Sequence, residues 1–205
     1  MERITPVPCN VIREKYGLEK DSYILYVGRI SPEKGPQDLL EAYQKLRLQE
    51  RLVLAGPIPE TEFGKEMTQK IDADPRVIRT GLVQGQELAE LFSNCRLFVL
   101  PSHTEGLSLA LLEAMSCGGR CLVSDIPANT VITKQYGAEF EAENIDSLAA
   151  ALSKELTTPK DEELLKQEME YVKENFDYDA VIEWHEDVYK CALNRKSEKR
   201  WEQNC

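Results

Sequence analysis

Short apolar runs, many of them β-branched, alternate along this chain with longer stretches of helical spacing, and that alternation constrains the fold more than any other feature. The runs cover 22–27, 52–55, 77–80, 97–100, 121–124 and 138–141. They are too uniformly apolar for a sheet with one wet face, so they predict parallel strands covered on both sides. The intervening stretches supply the cover. Leu39, Leu40, Ala42, Tyr43 and Leu46 fall on one helical face, as do Leu88, Leu91, Phe92 and Cys95. A polar helix is expected over 62–71, a helix apolar almost all round and therefore buried over 107–117, a short one over 130–135, and another marked by Ile145, Leu148, Ala149, Leu152 and Leu156. The predicted class is α/β, a Rossmann-like parallel sheet with helices on both faces. Beyond Pro159 the strands stop. Leu165, Met169 and Val172, then Val181, Trp184, Val188 and Ala192, mark charged amphipathic helices, and 194–205 reads as a fraying charged tail. The expected organisation is a linker over 1–20, a ligand-binding domain over 21–158 and a helical appendage over 159–205.

Charge narrows the function. Lys and Arg total 25 against 36 for Asp and Glu, a net charge of −11, which argues against nucleic-acid binding because phosphates require a basic face. An anionic ligand must then be held by local cations against the overall field. No apolar run approaches the roughly 18–20 residues of a membrane helix. The opening residues lack a signal peptide's apolar stretch, and the six cysteines form no CxxC pair, so a reducing cytoplasm is expected. Cys117 and Cys121 stand four apart without a second ligand pair and read as packing residues rather than a metal site.

Ligands of open parallel sheets sit beyond the carboxyl ends of the strands, where three features fall. Gly28-Arg29-Ile30-Ser31-Pro32-Glu33-Lys34-Gly35 follows the first run. Gly28 suits a tight turn, and Arg29 and Lys34 bring a planar fork and a mobile point charge, a pair suited to a diphosphate. A surface loop with two solvated cations is the plainer alternative. It is not a Walker loop, since GxxxxGK[ST] spacing is absent. Pro101-Ser102-His103-Thr104-Glu105-Gly106-Leu107 runs into the apolar helix, whose start offers backbone N–H groups to an anion. Glu105 there is either a ligand group or a helix cap, and His103 a polar contact or incidental. Glu113 lies within that helix among Ala110, Leu111, Leu112, Ala114 and Met115, where an ionised carboxylate needs a compensating partner. If both acids ride one helix, their spacing of eight residues separates them by about 12 Å, too far for a hydrolytic carboxylate pair.

Tyr26-Val27-Gly28-Arg29 with Lys34-Gly35, the Gly81-Leu82-Val83 turn, Phe98-Val99-Leu100-Pro101-Ser102, and Glu105-Gly106 followed by Leu112-Glu113-Ala114-Met115 together resemble the C-terminal donor-binding domain of family 4 retaining glycosyltransferases of GT-B fold. The resemblance covers residues 21 to 190. It implies one half of a GT-B fold and a hexosyltransferase that moves a hexose from a nucleotide-diphosphate sugar to a glycan or lipid-linked acceptor, with retention and with neither metal nor cofactor. Arg29 and Lys34 would bind the donor diphosphate and, with Glu105 on the sugar hydroxyls, carry catalysis. Glu113 would hold the ribose hydroxyls. Gly28 and the backbone of Gly106, Leu107, Ser108 and Leu109 would face the sugar phosphate, and Leu82 and Val83 would line the base. GT-B enzymes pair this domain with an N-terminal acceptor domain. The implied partner is therefore such a domain or a companion subunit, without which the chain would be inactive. The alternative is a non-catalytic nucleotide-sugar-binding or regulatory subunit. The implied location is cytoplasmic, or peripheral at a membrane through a partner. Three positions depart from the family pattern: Arg120 stands where Pro is expected, Ala128 where Gly is, and Thr130 and Val131 where a Glu is.

Overall fold

The computed structural model describes residues 6–176. In chain order the elements are α1 (Val11–Tyr16), β1 (Tyr23–Val27), a 3-10 turn (Pro32–Lys34), α2 (Pro36–Lys45), β2 (Arg51–Ala55), α3 (Glu62–Asp72), β3 (Val77–Gly81), α4 (Gly85–Asn94), β4 (Leu97–Leu100), α5 (Leu109–Ser116), β5 (Cys121–Ser124), α6 (Pro127–Thr133), β6 (Ala138–Phe140), α7 (Ile145–Thr157) and α8 (Glu162–Phe176). The strands form one parallel sheet in the order β3-β2-β1-β4-β5-β6. Ile24 of β1 pairs with Leu52 on one side and Leu97 on the other, so β1 and β4 are adjacent at its centre. Strand order reverses between them, and loops leaving their carboxyl ends diverge to open a crevice.

Both faces of the sheet are covered. Every residue of β4 and β5 is buried, as is every residue of β1 except Val27. From one side α2 contributes Leu39, Leu40 and Tyr43 to the same cluster into which α7 places Leu148, Leu152 and Leu156. Burying a side chain of this size is worth about 1.5–3 kcal/mol, so this layer supplies most of the driving force.

The sequence expectations need correction in several places. The described part of 1–20 is not a linker. Cys9, Ile12 and Leu18 are buried, and α1 is anchored by Glu90 of α4, itself without solvent exposure. Glu90 Oε2 accepts the backbone N–H groups of Asn10 (2.8 Å) and Ile12 (3.1 Å), and Oε1 accepts the Gln86 amide (2.9 Å). A six-residue helix is too short to show periodicity, so the sequence hid it. Burial alone would raise the Glu90 carboxyl, but the N–H donors outweigh it and hold it below its usual value. Glu90→Ala should therefore cost about 3 kcal/mol in urea unfolding at pH 7, since buried donors lose their acceptor. With the folded pKa depressed, that margin is present above the unfolded carboxylate pKa and should shrink as pH falls through the folded value.

The helix expected over 107–117 begins two residues later and is buried on one face only, through Leu111, Ala114 and Met115. Leu107 and Leu109 are exposed, because at the open end of the sheet no neighbouring element covers them. The short helix expected over 130–135 starts at Pro127, whose fixed φ suits a first helical position. Arg120, the departure from proline, clamps the end of α7. Its Nη1 donates to the carbonyls of Glu155 and Thr158, both at 2.7 Å, and its Nε pairs with Glu155 Oε2 at 2.9 Å. Ala128, Thr130 and Val131 ride on α6, where Val131 is exposed.

One compact unit of the chain ends at Met169, and α8 begins within it at Glu162. Its Met169 Sδ packs on Gly118, 3.1 Å from where a Cβ would stand. The second helix expected around Trp184 and the tail 194–205 lie outside the described residues. Among the described residues no helix is long and apolar enough to cross a membrane, and Cys9, Cys95, Cys117 and Cys121 are buried free thiols.

Candidate functional site

Two loops meet where the strand order reverses, one leaving β1 and one leaving β4. Their approach is tight. Gly35 has a left-handed φ of 65°, and a Cβ there would lie 2.0 Å from the Pro101 carbonyl oxygen. Gly28 works by space rather than by an unusual φ, since a Cβ would stand 2.9 Å from the Tyr26 hydroxyl. That hydroxyl donates to the Arg29 carbonyl at 2.7 Å and pins the start of the first loop. The left-handed position in this loop is Gly35, and Gly28 serves the start of the loop by its lack of a side chain.

Cross-loop bonds then fix the register. The backbone N–H of His103 donates to the Glu33 carbonyl at 2.9 Å, and its Nε2 lies 2.5 Å from Asp38 Oδ2 on α2. His103 therefore braces the two loops through its ring and its backbone alike. Lys34 Nζ pairs with Glu105 Oε2 at 2.8 Å, and Ser102 donates its hydroxyl to Glu105 Oε1 at 2.7 Å. The Glu105 side chain is only 8% exposed and that of Lys34 25%, so this ion pair is largely screened from water. Charges held so are stronger and better oriented than a surface pair. Arg29 stands apart, 66% exposed, with only a 3.8 Å contact to Glu33 Oε1. It is an exposed, loosely paired cation at the rim.

Glu105 sits in the loop before α5, so helical rise does not set its distance from Glu113, and the expectation of about 12 Å along one helix falls away. The start of α5 is capped by Ser108, whose Oγ accepts the Leu111 N–H at 3.4 Å. Ahead of it, the N–H groups of Gly106 and Leu107 make no backbone hydrogen bond among the described residues. With the first N–H groups of the helix they point outward, the disposition of backbone donors that suits an anion. Glu113, on the first turns of α5, is half-buried, and its carboxylate meets no hydrogen-bond or ion-pair partner among the described residues. Desolvation pushes it above its usual value.

Leu82 is 70% exposed after β3, whereas Val83 is buried, so only the first of the two presents a side chain outward. Leu82, Leu107, Leu109 and Val131 are the large exposed apolar residues, and each follows a strand's carboxyl end. This end of the sheet thus carries Arg29, Lys34, the acids Glu105 and Glu113, and the exposed Leu82, Leu107 and Leu109. Sequence reasoning quoted Ser102 within its motif without a role and missed Asp38 on α2, Ser124 at the end of β5 and Asn129 on α6, because single polar residues within these elements carry no periodic signal. Among the described residues no group of three or more His, Cys, Asp or Glu side chains is disposed to hold a metal ion.

Comparisons with known proteins bear on the family and the fold. Residues 10–174 match the sequence profile of the glycosyl transferases group 1. The chain is 29% identical over 157 residues to O-antigen chain mannosyltransferase B of Escherichia coli, covering 74% of this chain and 41% of that protein. It is 31% identical over 150 residues to a UDP-Gal:alpha-D-GlcNAc-diphosphoundecaprenol alpha-1,3-galactosyltransferase of Escherichia coli, covering 69% of this chain and 38% of that one. The chain thus spans less than half the length of these relatives. Anabaena HepE, solved in complex with UDP-glucose, shares its fold with a TM-score of 0.82 at 19% identity, covering 92% of this chain and 55% of HepE. With the profile spanning its whole sheet, the chain belongs to the glycosyl transferases group 1 family.

Proposed function

We propose that the chain is the donor-binding half of a retaining hexosyltransferase that takes a nucleotide-diphosphate sugar and serves a glycan or lipid-linked acceptor. The observation that carries this is the Lys34–Glu105 pair set beside the open N-terminus of α5 at the strand-order reversal. In this reading Lys34 and Arg29 hold the diphosphate, aided by the N–H groups at 106–109. Glu105 accepts sugar hydroxyls, Glu113 takes the ribose hydroxyls, and Leu82 and Val83 flank the base. The leaving diphosphate is stabilised by these fixed positive groups without a metal ion, so catalysis is electrostatic. The acceptor and its positioning come from an acceptor domain or companion chain. Positioning of that kind accounts for about 7–11 kcal/mol of a barrier, so the 205-residue chain alone transfers at no useful rate. The mannosyl- and galactosyltransferase names among the relatives support a hexose donor.

Calorimetric titration with UDP-glucose, GDP-mannose and ADP-glucose tests this. One donor should bind, and Lys34→Ala should weaken it by about 1.5–3 kcal/mol, the loss of a charge-assisted bond. Glu113→Gln should hold or raise the unfolding midpoint at pH 7, since it removes a half-buried carboxylate that desolvation disfavours, yet lose affinity, since the side chains are isosteric and differ in charge. Failure of all three donors to bind wild-type chain overturns the reading. Multiple turnover by the chain alone overturns the claim that it is half an enzyme.

A further inference from the structure

Glu105 is not simply exposed at the loop; a chain of buried hydroxyl and amide groups leads to it from α6. Ser102, Ser124 and Asn129 have no solvent exposure. Ser102 and Ser124 lie side by side because β4 and β5 pair in parallel, with Leu100 opposite Val123 just before them. Asn129 Nδ2 lies 3.0 Å from Ser124 Oγ and 3.3 Å from the Ser124 carbonyl oxygen. Ser124 Oγ lies 2.5 Å from the Ser102 carbonyl, and Ser102 Oγ lies 2.7 Å from Glu105 Oε1.

The chemistry of these groups leaves one direction for every proton. A carbonyl only accepts, so the Ser124 hydroxyl must donate to Ser102 O. Its free lone pair then needs a donor, which is the Asn129 amide N–H. An ionised carboxylate only accepts, so the Ser102 hydroxyl must donate to Glu105. Ser102 is held by its carbonyl from one side and aims its hydroxyl from the other. The arrangement has a cost that a merely space-filling residue would avoid. Asn129 Oδ1 is buried without a hydrogen-bond partner among the described residues, and turning the amide over would face its oxygen to the Ser124 carbonyl.

We infer that Ser124 and Asn129 are positioning residues, which through Ser102 orient the Glu105 carboxylate toward the hydroxyls of the donor sugar. The inference rests on the proposed role of Glu105 as the sugar-hydroxyl acceptor. Glu105 Oε1 takes the Ser102 hydroxyl and Oε2 takes Lys34, so a misdirected carboxylate acts first on the sugar and only through Lys34 on the diphosphate.

Two measurements separate this inference from the reading beneath it. In ligand-free protein, the Glu105 13Cδ resonance, assigned by its loss in Glu105→Gln, should move in Ser124→Ala and in Asn129→Leu. It should not move in Thr133→Val, an equally buried change one turn along the same helix whose hydroxyl bonds Asn129 O. Calorimetry then compares UDP-glucose with UDP, and GDP-mannose with GDP. Ser124→Ala and Asn129→Leu should weaken the sugar nucleotide that binds by about fivefold or more while weakening the matching free diphosphate clearly less. An unmoved resonance, a resonance that Thr133→Val moves equally, or an equal loss for sugar nucleotide and free diphosphate overturns the positioning role. A moved resonance with no wild-type binding of any probe leaves the positioning of Glu105 standing and overturns the donor-sugar reading. If Ser124→Ala fails to fold, Asn129→Leu carries both measurements.

Discussion

Gly35→Ala should lower stability by about 2–5 kcal/mol. Two independent penalties add. An alanine held at a φ of 65° costs about 1–2 kcal/mol, because its Cβ crowds the following carbonyl. Its Cβ would also stand 2.0 Å from a backbone oxygen, Pro101 O, which cannot rotate away, and overpacking of this kind costs about 1–3 kcal/mol. The relaxation that relieves the clash must part the two loops, which carry Lys34 and Glu105 respectively. Sugar-nucleotide affinity should therefore fall along with stability. Urea unfolding checks the first effect against Gly106→Ala, whose Cβ would meet nothing within 4 Å and whose cost should stay near 0.5 kcal/mol or below. Equal costs at the two glycines would show that the loops are not in forced contact.

Glu168→Gln should do the opposite, stabilising the chain by about 3 kcal/mol at pH 7. Glu168 of α8 has no solvent exposure, and neither carboxylate oxygen has a hydrogen-bond partner among the described residues. Burial pushes its pKa from 4.5 up to about 8. No cation offsets this. Its described titratable neighbour is the Cys121 thiol, which burial also pushes upward. The folded state thus keeps at pH 7 a proton that the unfolded chain releases. Because the folded pKa is the higher, stability is fully present below pH 4.5, declines as pH rises through about 8, and then levels off. Between pH 4.5 and 7 each unit costs about 1.4 kcal/mol, which sets the size of the gain. Glutamine is neutral throughout, so the variant should lose the pH slope. Chemical unfolding at pH 5, 7 and 8.5 measures it, and a wild-type slope that survives the substitution would assign the proton elsewhere.

The two sites differ in how far they could be read from the chain. Lys34 and Glu105 were legible as candidates because charged residues after apolar strands fall at the sheet's open end. Their bond to each other was not, since they are 71 residues apart and meet only because β1 and β4 are neighbours. Glu113 was legible as an acid on an apolar helix, whereas Glu168 sits in a stretch rich in charge, where one more acid draws no notice. Glu90 was hidden for the same reason. On α4 it resembles any solvated glutamate until α1 folds back and gives it N–H donors.

Local periodicity determined the strands, the helical faces and hence the parallel α/β class, because burial on both faces of a sheet writes itself into consecutive residues. The ends of those elements, the anchoring of α1 and the one-sided burial of α5 were decided by tertiary structure, where coverage depends on which neighbours are absent. The same holds for the Lys34–Glu105 pair and the Ser124–Ser102 bond behind it. Their bonds join residues brought together by strand order, and strand order is a property of the whole sheet that no window of sequence contains.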